Sequence, residues 1–378
     1  MDLQDEGGRG YVKHRRACRI GVTGVGGGVG QSIVRSLQMW SVKPWLMGFD
    51  MNPDSSGLFF CDVGHVIPPA SHDDYVDALL GRCEAEGVEL LIPGSDPELL
   101  PLATARDRFE EIGVEVLVAS TDVIRIARDK LKCWEVFETC DVPYARTIRL
   151  SPEGDGPAAL RYPLIVKPID GSASRNVTVV LDADELRPLD TGADLIVQEY
   201  LIPAEWGLSR PELTLRDAYR DGALRQEDEL SLQFCIGTNG EELGAFASRN
   251  RLMNGIPMVI EPAPMSEHLD VARRAVRALA ELGLTGPCNL QGRNTSEGIV
   301  FFEVNARFTG ITAMRTAMGF REVEAAVRHW LLGESAEQLA PILRQPESLA
   351  CLRYVTEHIM DVEELAAFRR QRNRDVGP

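Results

Sequence analysis

The segment FFEVNARF places three polar side chains, Glu303, Asn305 and Arg307, at intervals of two. Side chains on a β-strand alternate between its faces, so a strand here aims all three at one ligand. A carboxylate and an amide oxygen suit magnesium, which takes few protein oxygens and fills its octahedron with water and phosphate. The guanidinium beside them is then placed to neutralise charge on a phosphoryl group in transfer. Upstream, CNLQGR faces this strand across a turn at 294 to 298, and Gln291 is nearly symmetric with Glu303 about that turn. It is expected to share the metal or anchor its waters. The same spacing would also serve a solvated strand face with an incidental ion pair.

Of the 40 basic residues 35 are arginine and five are lysine, at 13, 43, 130, 132 and 167. Where arginine is so favoured, a remaining lysine suggests a place that needs a compact ammonium on a flexible stem. Lys167 follows the apolar run 163 to 166 and emerges beside Gly171, Ser172, Ala173 and Ser174, whose backbone N–H groups and hydroxyls can fold over phosphates. Lys130 is read as the start of a helix, where a cation opposes the macrodipole unless something anionic offsets it. The segment VQEYL offers backbone groups and Glu199 to an adenine edge. Taken singly, these features also fit surface lysines, a flexible loop and a strand end.

The turn TGVGGGVG sets Gly24, Gly27 and Gly30 three apart after a strand, with Asp50 closing the next strand. That is the geometry for a dinucleotide pyrophosphate over a helix N-terminus, with a carboxylate for the ribose. A short-chain reductase or epimerase would also need a tyrosine four residues before a lysine, and none of the seven tyrosines has one. A tight strand-to-helix turn without nicotinamide is the preferred reading, and an NAD(P)-dependent oxidoreductase or epimerase is the rival.

Composition narrows the classes further. Hydrophobic residues at 44% and charged residues at 26% exclude collagen-like, disordered and membrane-embedded chains. A net charge of -17 repels phosphate backbones and anionic headgroups, so neither nucleic acid nor a membrane is expected as a partner. The eight cysteines show no CxxC, the six histidines show no metal-ligand spacing, and no apolar stretch approaches the roughly 18 residues of a bilayer crossing. A cytoplasmic location with reduced thiols follows as an expectation.

The elements that must position these residues are legible as alternation. RIGVT, a helix from about 30 to 38, WLMGFD, a helix near 73 to 86, ELLIPG, a helix near 97 to 109 and VEVLVA indicate an α/β unit with a parallel sheet. One or two helices follow over 121 to 140, ended by Asp141-Val142-Pro143. YPLIVKP, VTVVL and LIVQEYL read as strands of a second, smaller unit. The charged segment 203 to 228 reads as an insertion or lid before ELSLQFCI resumes strand character, and an apolar repeat over 269 to 282 reads as a helix before the hairpin. The division is a frayed start at 1–18, a first domain at 19–120, a small domain with its preceding helices at 121–201, a large domain at 202–335 and an extension at 336–378.

In order, Lys130, Lys167 before a small-residue loop, the hinge QEYL, Gln291 and EVNAR together resemble the ATP-grasp superfamily, over about residues 19 to 335. The likeness is to single-module relatives of the carbamoyl phosphate synthetase large chain and to the amino-acid ligases. It implies a Rossmann-like first domain and a two-lobed ATP-grasp fold, with ATP and magnesium, two ions or manganese in its place, between the lobes. By that resemblance Lys130 and Lys167 contact phosphates, the loop 171 to 174 closes over them, and Glu199 with the Tyr200 and Leu201 backbone holds adenine. Glu229 is the candidate for the ribose, with Glu205 the competitor. Gln291, Glu303 and Asn305 hold the metals, and Arg307 and Lys167 serve the transfer. Arg251 and Arg315 are candidates for a substrate carboxylate. The implied activity is ATP-dependent carboxylate-amine ligation through an acyl phosphate, with an amino acid as at least one of the small-molecule substrates and a homodimer as the family's assembly. A non-catalytic ATP-binding sensor is the second rival.

Overall fold

A computed structural model describes residues 17–150, 160–169, 176–186, 194–204, 225–253 and 255–373, with the side chains at 225–228, 265–267, 364, 368 and 371–373 left aside. Five parallel strands, β1 (Arg19–Thr23), β2 (Trp45–Asp50), β3 (Val63–Val66), β4 (Leu90–Ile92) and β5 (Glu115–Val116), form a sheet in the order β3-β2-β1-β4-β5. Burial on both faces explains their near-continuous apolar sequences. Helix α1 (Gly28–Gln38) covers one face, and α2 (Tyr75–Glu86), α3 (Asp96–Thr104) and α4 (Arg106–Glu111) follow in the chain. The single helix expected near 97 to 109 is thus two, and β3 is a strand that the sequence reading did not separate from its neighbours.

The expected helical stretch after the first sheet is divided into α5 (Thr121–Arg128) and α6 (Lys130–Thr139). The break falls at Asp129, whose side chain accepts from the Leu131 and Lys132 backbone N–H groups and caps α6. A four-stranded sheet comes next, in the order β6 (Thr147–Arg149), β9 (Leu195–Glu199), β7 (Leu164–Pro168) and β8 (Thr178–Val180). It has its own small core of Leu160, Leu164, Val166, Val180, Leu186 and Val197.

The six-stranded sheet is built from β10 (Arg225–Ile236), β11 (Glu242–Met253), β12 (Ile256–Pro262), β13 (Gly286–Thr295), β14 (Gly298–Asn305) and β15 (Cys351–Leu352), in the order β14-β13-β10-β11-β12-β15. Its two faces differ in chemistry. Leu230, Leu232, Cys288, Leu290 and Val304 join the main core with the helix Met265–Glu281. The residues between them in β10 and β13, Glu229, Ser231, Gln233, Asn289, Gln291 and Arg293, are polar and point the other way. Because β10 already begins at Arg225, strand structure starts inside the segment read as an insertion. The rest of that segment from 205 to 224, the loop 171 to 174 and both frayed ends lie outside the described residues, apart from 17, 18 and the stretch up to Asn373. Among the described residues no helix is long and apolar enough to cross a membrane.

Candidate active site

The polar face of the six-stranded sheet is organised by strand register. Gln291 lies directly opposite Glu303, Asn289 opposite Asn305, Glu229 opposite both Arg293 and Asn250, and Ser231 opposite Gln291. The expected pairing of Gln291 with Glu303 across the hairpin is therefore present. After Gln291↔Glu303 the ladder resumes at Gly292↔Phe301, so Phe302 is an extra residue, a bulge that re-aims side chains next to the carboxylate. Asn305 Nδ2 donates to Glu303 Oε1 at 3.2 Å. That bond holds the two metal candidates side by side.

A metal here would meet hard oxygen donors, and one feature of the face tests the fit. Asn289 donates through Nδ2 to Ser231 Oγ at 2.8 Å, but its Oδ1 is buried with no hydrogen-bond partner. An unpaired buried carbonyl oxygen opposite Asn305 is a group that a hydrated cation would satisfy. With one carboxylate and several neutral amides, the donor set is poor in charge and suits a magnesium that shares its coordination with anionic phosphate. The residues fit the ion. No group of three or more histidine, cysteine, aspartate and glutamate residues able to hold a metal occurs among the described residues.

The two lysines come from different elements. Lys167, on β7, is buried and donates from Nζ to Gln198 Oε1 at 2.8 Å. Gln198 in turn donates to Thr147 Oγ1 at 2.8 Å, tying β9 to β6. Just before β6, Ala145 N–H donates to Phe301 O at 2.7 Å, so this relay runs from Lys167 to the strand of Glu303. The ammonium also lies 5.7 Å from the centre of the Phe302 ring. Burial pushes Lys167 down to about 7, Lys130 and Arg293 push the same way, and Glu303 opposes them. Lys130 is the first residue of α6, buried, with Nζ donating to Ile169 O at 3.3 Å. The Asp129 cap beside it supplies the anionic offset that a cation at a helix start requires.

At the hinge, Glu199 accepts the Arg161 N–H at 3.0 Å through its carboxylate, and the Tyr200 N–H donates to Pro163 O at 3.0 Å. The Tyr200 N–H is therefore engaged within the protein and not open to a base, which corrects the expectation for that group. Leu201 O accepts Arg293 Nη1 at 3.0 Å. Glu229 is buried on the polar face, 3.4 Å from Asn250 Nδ2; burial raises its carboxyl to about 7, with the charge of Glu303 adding to that and Asn250 and Arg293 opposing. Its competitor Glu205 lies outside the described residues.

Three arginines depart from expectation. Arg307 does not stand free toward a phosphate: Nε and Nη2 grip Asp96 Oδ1 and Oδ2 at 2.7 and 2.8 Å, and Nη1 donates to Phe308 O at 2.9 Å. Asp96 begins α3 beneath the first sheet, so a fork-to-fork ion pair joins that sheet's helices to the end of β14. Burial alone would raise the Asp96 carboxyl, but Arg307, Arg128 and Lys130 outweigh it and the carboxyl is lowered. Arg315 is wholly enclosed, with its guanidinium on Glu322 at 2.6 Å and on Gln233, Thr309 and Thr312. It fixes the turn after β14 and does not face a substrate. Arg251, on the face of β11 opposite to Asn250, is 59% exposed and 3.6 Å from Glu261. Strand alternation turns it away from the site.

The carboxylate of the glycine turn is engaged within the protein. Asp50 accepts from the Gly26 N–H at 2.6 Å, from the Asn52 N–H at 2.9 Å and from Ser55 Oγ at 2.7 Å. A Cβ on Gly30 would lie 2.3 Å from Gly24 O, so this glycine serves the close packing of α1 on the turn. The carboxylate that a nicotinamide cofactor would need thus already accepts three hydrogen bonds from its own turn and the loop after β2.

Sequence reasoning missed Asp96, Gln198, Asn289, Phe302 and Arg293. Asn289 and Arg293 share the two-residue period of Gln291 and were open to detection by it, whereas the Asp96 pairing spans 211 residues and has no local signal.

A family model described as PylC-like, N-terminal domain, matches residues 27–117. No curated protein matches the chain. Among solved structures it is similar to N5-carboxyaminoimidazole ribonucleotide synthetase from Thermus thermophilus, with TM-score 0.61 and 21% identity over 84% of this chain and 79% of that one. It is also similar to the biotin carboxylase domain of Hydrogenobacter thermophilus 2-oxoglutarate carboxylase, a complex with MgADP, ADP and bicarbonate, with TM-score 0.61 and 16% identity over 85% and 71%. An L-amino acid ligase from Bacillus licheniformis matches with TM-score 0.61 and 13% identity over 88% and 78%.

Two stability measurements check this geometry. Asp96→Ala leaves the Arg307 cation half-buried and unpaired, and its urea midpoint should fall by the equivalent of about 3–5 kcal/mol at unchanged slope. A change within about 0.5 kcal/mol contradicts the ion pair. For Lys167, the folded value of about 7 lies below the ordinary 10.5, so its burial penalty is full below pH 7 and fades as pH rises toward 10.5. Lys167→Met should therefore gain stability over the parent at pH 6 relative to pH 10. An effect independent of pH would show an ammonium that is not desolvated.

Proposed function

The chain has the ATP-grasp fold, and from that premise we propose that it is an ATP-dependent carboxylate-amine ligase that forms an amide or peptide bond in small-molecule metabolism, with an amino acid as at least one substrate. The observation that carries this reading is that Lys167 and Arg293 lie 5.7 and 5.8 Å from the ring of Phe302, the residue next to Glu303, the sole carboxylate among the metal candidates. Cations facing a weakly charged oxygen set suit a polyanion that brings its own metal, and a triphosphate is such a group. We take residues 19–120 as the first domain, 121–201 as the smaller lobe with its helices and 202–335 as the larger lobe.

In this reading Lys130 and Lys167 hold the phosphates, with the loop 171 to 174 as their cover. Glu199 and the Leu201 backbone border the base, and Glu229 takes the ribose hydroxyls. Gln291, Glu303 and Asn305 hold magnesium, taken as two ions with manganese as a substitute, and the metal when bound neutralises the phosphate oxygens. A substrate carboxylate oxygen attacks the γ-phosphate, the bond to the ADP oxygen breaks, and an acyl phosphate results. The amine then attacks the activated carbonyl, loses its proton and expels phosphate. Arg307 has five N–H donors, of which three are engaged with Asp96 and Phe308. The remaining two can serve the transferred phosphoryl while Asp96 keeps the planar group in its orientation. Positioning and charge neutralisation supply the catalysis, with no nucleophilic side chain required.

A phosphate-release screen with pairs of amino acids and magnesium ATP tests the proposal. Activity is expected from the parent, with a loss of at least about 100-fold in Glu303→Gln and in Lys167→Ala, the scale for one transition-state electrostatic contact. Equal turnover in the parent and both variants would place the chemistry elsewhere.

A further inference from the structure

The face of the six-stranded sheet that turns away from the site ends in an apolar margin. Register puts Arg251, Val259 and Leu352 in one row across β11, β12 and β15, with Met253 opposite Ile256 in the next. Arg353 turns its guanidinium to Gly310 O on the other face, so alternation brings Leu352 and Tyr354 out beside that row. Met253, Ile256, Leu349, Leu352, Tyr354 and Val355 are between 46% and 87% exposed. These fractions leave roughly 700 Å² uncovered, more than the largest patch of an ordinary monomer and near the ~800 Å² that each partner of a stable pair buries.

The same margin carries an open sheet edge. Among the described strands β15 pairs with β12 alone, at the end of the order β14-β13-β10-β11-β12-β15. Arg353 N–H donates to Met258 O at 2.8 Å, so the Leu352 and Tyr354 N–H groups point outward. Charged side chains or proline ordinarily guard such an edge against other strands. Residues 349–356 contain no proline, and their one charge, Arg353, faces inward.

Charge indicates what covers it. The chain carries -17, yet residues 249–260 and 349–356 hold three arginines and no acid. Arg251 is offset by Glu261 at 3.6 Å, which leaves the face close to neutral. Two copies of an acidic chain repel least where neither presents an excess of acid. Identical edges running antiparallel also exchange their own N–H and C=O groups, so the contact closes on itself under a two-fold axis. We propose that this margin is the interface of a homodimer, in which the open edge at β15 pairs antiparallel with that of a second copy and the apolar row behind it is covered. The surface lies away from the candidate active site, and the inference does not depend on the ligase reading.

Sedimentation equilibrium of the full chain between about 1 and 100 μM tests it, with the parent expected as a dimer and association weakened at least about tenfold in Leu352→Glu and in Tyr354→Glu. Both side chains are exposed, so each variant should keep the parent's circular dichroism. Val42→Glu, at an exposed apolar position in the first domain, should dimerise like the parent. Amide exchange over 349–356 should be slow in the parent dimer and fast in Leu352→Glu. Raising salt from about 50 to 500 mM should tighten association, because it screens the repulsion between two acidic chains. A monomeric parent, an open series of larger assemblies, or a dimer that both edge variants retain would overturn the inference. So would equal loss in Val42→Glu, or exchange over 349–356 that is as fast in the dimer as in the monomer.

Discussion

The site is governed by a desolvated ammonium. Lys167 is buried with the neutral amide of Gln198 as its hydrogen-bond acceptor, and both Lys130 and Arg293 add repulsion that Glu303 only partly offsets. A charge so placed is costly to the folded protein and becomes favourable when an anion is bound beside it. The amide-rich oxygen set of Gln291, Glu303 and Asn305 has the converse need, too few negative charges to hold a small divalent cation unaided. In the proposed function each half is incomplete in a way that a metal-bound polyphosphate would remedy.

Holding these halves together requires contacts that bridge the three sheets. The relay from Lys167 through Gln198 and Thr147 to the segment beside Phe301 sets the four-stranded sheet against β14. The Asp96–Arg307 fork does the same for the parallel sheet and its helices. The six-stranded sheet can devote a whole face to polar groups because its other face, with Leu232, Leu290 and Val304, is buried under the helix Met265–Glu281. Two-residue alternation gives both faces from the same strands.

That alternation also decides how much could be read from the chain. Strands β1, β2, β7, β9 and β14 have runs of apolar residues or a clear polar period, and EVNAR and LIVKP therefore reveal both their structure and their chemistry. Short β3 and β6 have four and three residues and no periodic signal. In β11 the sequence ELGAFASRNRLM mixes small, polar and basic residues, because one side packs in the core and the other carries Ser248 and Asn250 to the site. Without a strand there, Arg251 could not be assigned a face. Arg315 misled for a different reason: a carboxylate partner seven residues away, Glu322, looks no different in sequence from a surface charge, and only complete burial distinguishes the two. The Asp96–Arg307 pair is invisible to any local rule.

The most direct test is a crystal structure with magnesium and a non-hydrolysable ATP analogue. The triphosphate is expected within hydrogen-bond reach of the Lys130 and Lys167 ammonium groups, with metal on Glu303 and Asn305 oxygens. A nucleotide bound instead over the turn of Gly24 to Gly30, with Lys167 still on Gln198 and far from any phosphate, would contradict it.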